Sequence, residues 1–178
     1  MPRPIRYRSP SENPAELVFE TLAQRDFLEA RLAALGGTVA TLLKFDRHPN
    51  TPGDIAERAE YTVRQGVGRQ HLPSVFQKVI PGDLLIDRTE RWTRTGPGSY
   101  QGTFSATVPG APGKITGTLR LADLPDIGGG RAGSEFVLEG SAQVQIPLVG
   151  GKIEDVIVQQ VTKIVQRETE FALNWLRK

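Results

Sequence analysis

The C-terminal stretch of the chain constrains the fold more than any other feature. From Lys152 to Arg177 no proline or glycine interrupts, and apolar residues fall at Ile153, Val156, Ile157, Val161, Ile164, Val165, Phe171, Ala172 and Trp175. Steps of three and four dominate, which is the pattern of one amphipathic helix with a single apolar stripe. Glu154 and Asp155 near its start, and Arg177 and Lys178 at its end, suit the helix dipole. At ~1.5 Å per residue the segment is about 40 Å long, enough to reach across a whole sheet. A stripe of that length needs an equally long apolar surface to cover it.

Upstream residues supply one. Residues 3–8 read as a first strand with Ile5 and Tyr7 on one face. Asn13 is placed to cap a helix, Pro14 to open it and Glu16 to close a capping box. Leu17, Val18 and Leu22 give that helix its apolar face. A second helix follows on Phe27, Leu28, Leu32 and Leu35, and Gly36-Gly37 stops it. From residue 38 the period falls to two. Val39, Thr41, Leu43 and Phe45 share one face; after the turn residues 48–53, so do Ile55, Ala59, Tyr61 and Val63, with Arg58, Glu60 and Arg64 opposite. This alternation predicts a sheet that is wet on one side only.

The segment 66–82 carries Gly66, Gly68, His71, Pro73, Pro81 and Gly82, and is expected to be a mobile rim with one helical turn. Four more strands are expected around Leu84–Trp92, Tyr100–Val108, Ile115–Leu121 and Phe136–Ile146, with glycine-rich turns at 110–113 and 128–130. Short turns between consecutive strands imply an antiparallel meander. The expected fold is therefore α+β: one domain over residues 1–178, a curved antiparallel sheet of about seven strands, two short helices after strand 1, and the long C-terminal helix across it.

Composition narrows the functional classes. The 178 residues contain no cysteine, which excludes disulfides and thiolate chemistry. The net charge is +2, and the only dense basic stretch, Arg3, Arg6 and Arg8, is too narrow for a nucleic-acid surface. No secretory or membrane-spanning run is present, so a cytoplasmic protein without stable membrane insertion is expected. Neither His48 nor His71 has metal-ligand or catalytic spacing, and Gly66-Val67-Gly68 lacks a third glycine. No catalytic motif, cofactor or metal site is predicted.

Three stretches resemble the helix-grip, START/SRPBCC-like superfamily, and more narrowly a bacterial SRPBCC family of unknown function. They are Pro81-Gly82-Asp83-Leu84 with Thr89-Glu90-Arg91-Trp92, then Val108–Gly113, and Ile146-Pro147-Leu148-Val149-Gly150-Gly151-Lys152-Ile153-Glu154. The resemblance covers the whole chain. It implies a hydrophobic cavity between helix and sheet. Members of the superfamily bind lipids, sterols or polyketides, and some catalyse cyclisation or dehydration.

The sheet face toward the helix is expected to include Leu43, Phe45, Tyr61, Val63, Trp92, Phe104 and Phe136, facing Ile157, Val161 and Ile164. These are the candidate ligand contacts. Polar residues at inward parity are the informative ones, because a charge facing a core must be paired or reach water. Glu57 shares parity with Ala59, and Arg88 and Glu90 share it with Ile86 and Trp92. An ion pair of Arg88 with a carboxylate, a bulge turning these groups outward, and a polar anchor in a pocket all remain open, and Tyr61 and Tyr100 add hydroxyls. Three functions follow. The first is binding of a hydrophobic small molecule or lipid. The second is a cyclase- or dehydratase-like enzyme on a polyketide-like substrate, using Glu57, Arg88, Glu90 or a tyrosine inside a pocket as acid or base; Glu57 and Glu90 both outside in water would exclude it. The third is an interaction module with a filled core and an exposed apolar patch around Phe76. Ligand identity and oligomeric state are not encoded in any recognisable motif.

Overall fold

A computed structural model describes residues 2–37, 39–49, 57–109, 111–125 and 133–178. The chain begins with β1 (Arg3–Ser11), α1 (Ala15–Leu22) and α2 (Arg25–Leu35). It continues with β2 (Thr41–His48), β3 (Arg58–Val67), a 3-10 turn (Arg69–His71) and α3 (Ser74–Val79). Then come β4 (Leu84–Gly96), β5 (Ser99–Thr107), β6 (Gly113–Asp123), β7 (Ser134–Val144) and α4 (Gly150–Leu176). Among the described residues the strands form one antiparallel sheet in the order β1-β7-β6-β5-β4-β3-β2. This is the α+β helix-grip fold. Strands β2 to β7 are a meander of neighbours, and only β1 pairs with a strand distant in sequence. The expected positions Ile55, Gly110 and 128–130 lie outside the described residues.

Inward parity is as the alternation requires. Ala59, Tyr61, Val63 and Gln65 of β3 are buried, while Glu60, Thr62 and Arg64 pair on the outer face with Arg91, Thr89 and Asp87. One strand departs from the pattern. A bulge in β2 shifts the register between Leu42 and Lys44, so Leu42 pairs with Val63 and Phe45 with Tyr61. The extra residue flips the face of everything before it. Leu42 therefore packs on the core and Leu43, expected to face inward, is 47% exposed.

Two inward glycines shape the middle of the sheet. Gly117 of β6 pairs with Gly140 of β7, and a Cβ on either would strike the Phe104 ring, at 2.6 and 2.9 Å respectively. Their missing side chains let that ring lie flat against the strands. The core around it is aromatic. Phe19 of α1 stacks on Tyr100 at 4.2 Å between centroids and meets Trp92 edge-on at 6.3 Å. Phe27 of α2 packs edge-on against Trp175 near the end of α4, at 5.6 Å. Burying side chains of this size contributes ~1.5–3 kcal/mol each.

Helix α4 lies mainly over β1 and β7. Leu148, with φ of +70°, makes the turn into it. Glu154 in its second turn is buried and accepts the Val144 backbone N–H at 2.8 Å, which clips the helix to the end of β7. The expected rim at 66–82 is the 3-10 turn plus α3. Arg69 ties it down by donating to the carbonyls of Ile80 and Gln77. Phe76 is buried with Leu72, Leu84 and Ile153 in a second apolar cluster, so it does not form the exposed patch expected of an interaction module.

The start of α1 also differs from expectation. Helical geometry begins at Ala15, and Asn13 makes no side-chain cap. The cap comes from the far end of β6, where Asp123 Oδ1 accepts the Ala15 N–H at 2.7 Å. Asp123→Ala is therefore expected to destabilise the fold by about 1 kcal/mol in urea unfolding, with Asn13→Ala having a smaller effect. The reverse ranking would return the cap to Asn13.

Candidate ligand cavity beneath the C-terminal helix

The face of α4 toward the sheet is not uniformly apolar. Val161, Val165, Glu168 and Ala172 follow one another at helical spacing, and Glu168 is only 7% exposed. A buried carboxylate is costly unless charges and hydrogen bonds compensate it. Two strands and a second helix supply them. Arg88 of β4 makes a bidentate pair with Glu168, Nη1 to Oε2 at 3.0 Å and Nη2 to Oε1 at 2.8 Å. Gln65 of β3 donates to Oε1 at 3.3 Å. Arg31 of α2 brings its Nε to 3.9 Å from the same oxygen.

A second carboxylate completes the group. Glu90, two residues along β4 from Arg88, accepts the Tyr61 hydroxyl at 2.5 Å and the Trp92 indole N–H at 3.2 Å. Its other oxygen lies 3.4 Å from Arg88 Nε. Two guanidiniums and two carboxylates thus share one buried site, with no formal net charge.

The titration of these groups follows from that arrangement. Burial alone would raise the Glu168 carboxyl; the charges of Arg31 and Arg88 and the hydrogen bonds from Arg88 and Gln65 outweigh it and hold the carboxyl down at about 2. Burial works to lower Arg88, but the Glu168 and Glu90 carboxylates raise it above the usual arginine value. Tyr61 is raised well above an ordinary phenol, first by burial and then by the Glu90 charge. It stays a proton donor to Glu90 across the whole working range of pH.

Beside this polar group the helix and sheet do not meet completely. They leave a cavity of about 100 Å³ whose polar wall is Arg31, Tyr61, Gln65, Arg88, Glu90 and Glu168. Its remaining lining is mostly apolar and includes Trp92, Phe104 and Phe136 from the sheet, and Val161, Ile164 and Val165 from α4, with the hydroxyl residues Ser9, Ser11, Ser134 and Thr169 as its other polar members. A second compartment of about 210 Å³ lies toward α3 and the start of α4, where Leu72, Phe76, Ile153 and Ile157 line it and His71 lies at its edge. Ile86, Ala106, Ile115, Val161 and Ile164 border both spaces, so the two are neighbours across a wall of side chains.

Most of the sequence-predicted positions converge here. Tyr61, Arg88, Glu90, Trp92, Phe104, Phe136, Val161 and Ile164 line the first compartment, and Ile157 lines the second. Three do not. Leu43 faces outward at the bulge, Phe45 lies under the Arg25 guanidinium at 5.2 Å, and Val63 is fully buried without bordering either space. Glu57 is buried but sits apart, bonded to Arg47 at 3.1 Å. Arg31, Gln65 and Glu168 were not predicted. Glu168 had a visible signal, a charge at apolar-stripe spacing on α4, and so did Arg31, between Phe27, Leu28 and Leu32 on α2.

The family profile described as "Protein of unknown function (DUF2505)" matches residues 6–176. The chain is 31% identical over 176 residues to uncharacterized protein Rv0481c of Mycobacterium tuberculosis, covering 99% of this chain and 98% of that one. Among solved structures it is similar to the protein TTHA0849 from Thermus thermophilus, at 14% identity and a TM-score of 0.53, covering 97% of this chain and 95% of that one. It is also similar to protein CV1439 from Chromobacterium violaceum, at 16% identity and a TM-score of 0.52, covering 98% and 97%. These two likenesses are of fold alone.

The depressed Glu168 carboxyl carries a pH signature. Its stabilising contribution is complete above the unfolded value of 4.5 and is lost as pH falls from there toward about 2. That loss is on the order of 3 kcal/mol. Glu168→Gln is expected to remove this acid slope and to cost ~3–5 kcal/mol at neutral pH, because it leaves one buried arginine charge uncompensated. Urea unfolding of both proteins between neutral pH and pH ~3 measures it. Equal slopes would assign the acid sensitivity to other carboxylates.

Proposed function

This chain belongs to the DUF2505 family and has the START/SRPBCC-like helix-grip fold, and from that premise we propose that it binds a hydrophobic small molecule or lipid between α4 and the sheet. The observation that carries this reading is the paired space beneath the helix, apolar over most of its wall and polar at one end. Ligand sites have this composition: an apolar body with few, fixed polar groups. Neither compartment alone reaches the ~300 Å³ at which such sites begin, and joined they come to about that bound. The size favours a single short chain or small ring system over a two-chain lipid. No described helix is long and apolar enough to cross a membrane.

Native mass spectrometry after gentle purification, followed by thermal-shift titration with C8 to C12 single-chain compounds, tests the proposal. Bound mass or a saturable rise in Tm is expected. Absence of both would overturn it. Ala106→Phe puts a ring at the boundary of the two compartments, and is expected to abolish binding while leaving the fold intact or more stable.

A second reading, an enzyme of the cyclase or dehydratase kind, is favoured by one observation. The Tyr61–Glu90 pair, with its 2.5 Å hydrogen bond, borders the cavity and is the only tyrosine–carboxylate pair among the described residues to do so. A carboxylate at that place can accept a proton from a carbon acid, and the tyrosine can return one to oxygen. Glu90→Gln is expected to eliminate turnover of a β-polyketone substrate while leaving its binding within a few-fold. Unchanged turnover would end this reading.

A further inference from the structure

Two guanidiniums in the cavity wall keep N–H groups without a hydrogen-bond partner among the described residues: Arg88 at Nε alone, which faces Glu90 at 3.4 Å, and Arg31 at two positions. Arg31 is 3% exposed, lines the 100 Å³ compartment and rests over the Phe27 ring at 5.9 Å. Its Nε and Nη2 have no hydrogen-bond partner among the described residues. These two N–H groups lie on the same edge of the planar guanidinium and form a fork suited to bidentate contact. Glu168 Oε1 does not fill it. That oxygen is 3.9 Å from Nε and already accepts from Arg88 at 2.8 Å and Gln65 at 3.3 Å. Buried donors of this kind normally have a partner, and each one left unsatisfied is destabilising.

Charge decides what that partner is. Arg31 and Arg88 are already matched by Glu168 and Glu90. A ligand carboxylate would add an uncompensated negative charge to a buried site, which is costly. A carbonyl oxygen adds none, and its two lone pairs can take both N–H groups of the fork. The compartment is also too small to hold a ligand of ordinary size by itself, so the rest of the molecule must continue past Ile86, Ala106 and Ile115 toward the second compartment.

We propose that Arg31 anchors the uncharged carbonyl oxygen of a ketone-, ester- or lactone-type ligand whose apolar tail crosses into the compartment under α3. This rests on the cavity-binding reading above and adds to it the chemistry of the head group and its orientation.

Three probes of matched shape test it by calorimetric or competition titration at neutral pH: 2-octanone, its alkene isostere 2-methyl-1-octene, and octanoate. The ketone is expected to bind about tenfold or more tightly than either of the others, the scale of a hydrogen bond to a charged donor. Arg31→Met is expected to erase the preference for the ketone while the alkene binds as before. Infrared spectroscopy of carbonyl-labelled 2-octanone on the wild-type protein is independent of any variant, and should show the carbonyl stretch shifted to lower frequency than in hexane. Equal binding of ketone and alkene, an unshifted stretch, or a preference that survives in Arg31→Met would overturn the anchor and leave the cavity reading standing. Tightest binding by octanoate would overturn the neutral head group. If no probe binds, and Ala106→Phe changes nothing, the cavity reading falls and the anchor with it.

Discussion

The bidentate pair between Arg88 and Glu168 is the contact on which the rest of the arrangement depends. It joins β4 to the C-terminal half of α4, two elements distant in sequence. Apolar packing alone is permissive about the rotation of a 27-residue helix on its axis. A buried fork on a carboxylate is not, because a small rotation would strand a charge. Such a pair contributes little net stability compared with well-packed hydrophobic residues. Its effect is on geometry: it sets which residues of α4 look down, and so which side chains face the open space. Glu154 at the second turn and the Phe27–Trp175 contact near the last fix the two ends in the same sense.

The cavity follows from that fixed geometry. The polar cluster holds the helix over the sheet at a position where Val161, Ile164 and Val165 cannot descend far enough to fill the concavity lined by Trp92, Phe104 and Phe136. Gly117 and Gly140 deepen the concavity by letting Phe104 lie flat. Charges therefore gather at one end of the space and apolar groups at the other. The charged end is neutral as a whole, so it presents directed donors and acceptors without a strong net field.

Much of this was legible in the residues. The period of three and four after Lys152 predicted α4, and the period of two in β3 through β7 predicted which side chains would gather under it. Arg88 and Glu90 stood out because a charge at inward parity demands an explanation. Parity failed at Leu43, because a bulge adds one residue without leaving a mark in the hydrophobic pattern. The cap of α1 was invisible for a different reason: Asp123 is 108 residues away, and its proximity is a property of the assembled sheet. Glu168 and Arg31 were readable in principle. Each sits in an apolar helical stripe, and a parity test applied to strands alone passes over them.

The place of β1 in the sheet has a consequence for how the chain comes to be folded. Strands β2 to β7 each find a partner next to them in sequence, so they can zip up as successive hairpins. β1 cannot. Its only strand partner among the described residues is β7, with Arg3 opposite Ala142, and the cap of the helix that follows it waits for Asp123. During synthesis the first strand must therefore remain unpaired until most of the chain has been made. Closure of the largest loop comes late, and it is the step that non-local pairing makes slow. Arginines at positions 3, 6 and 8 and prolines at 4 and 10 are well chosen for that interval, since charge and proline keep an unpaired strand from pairing with a neighbouring molecule.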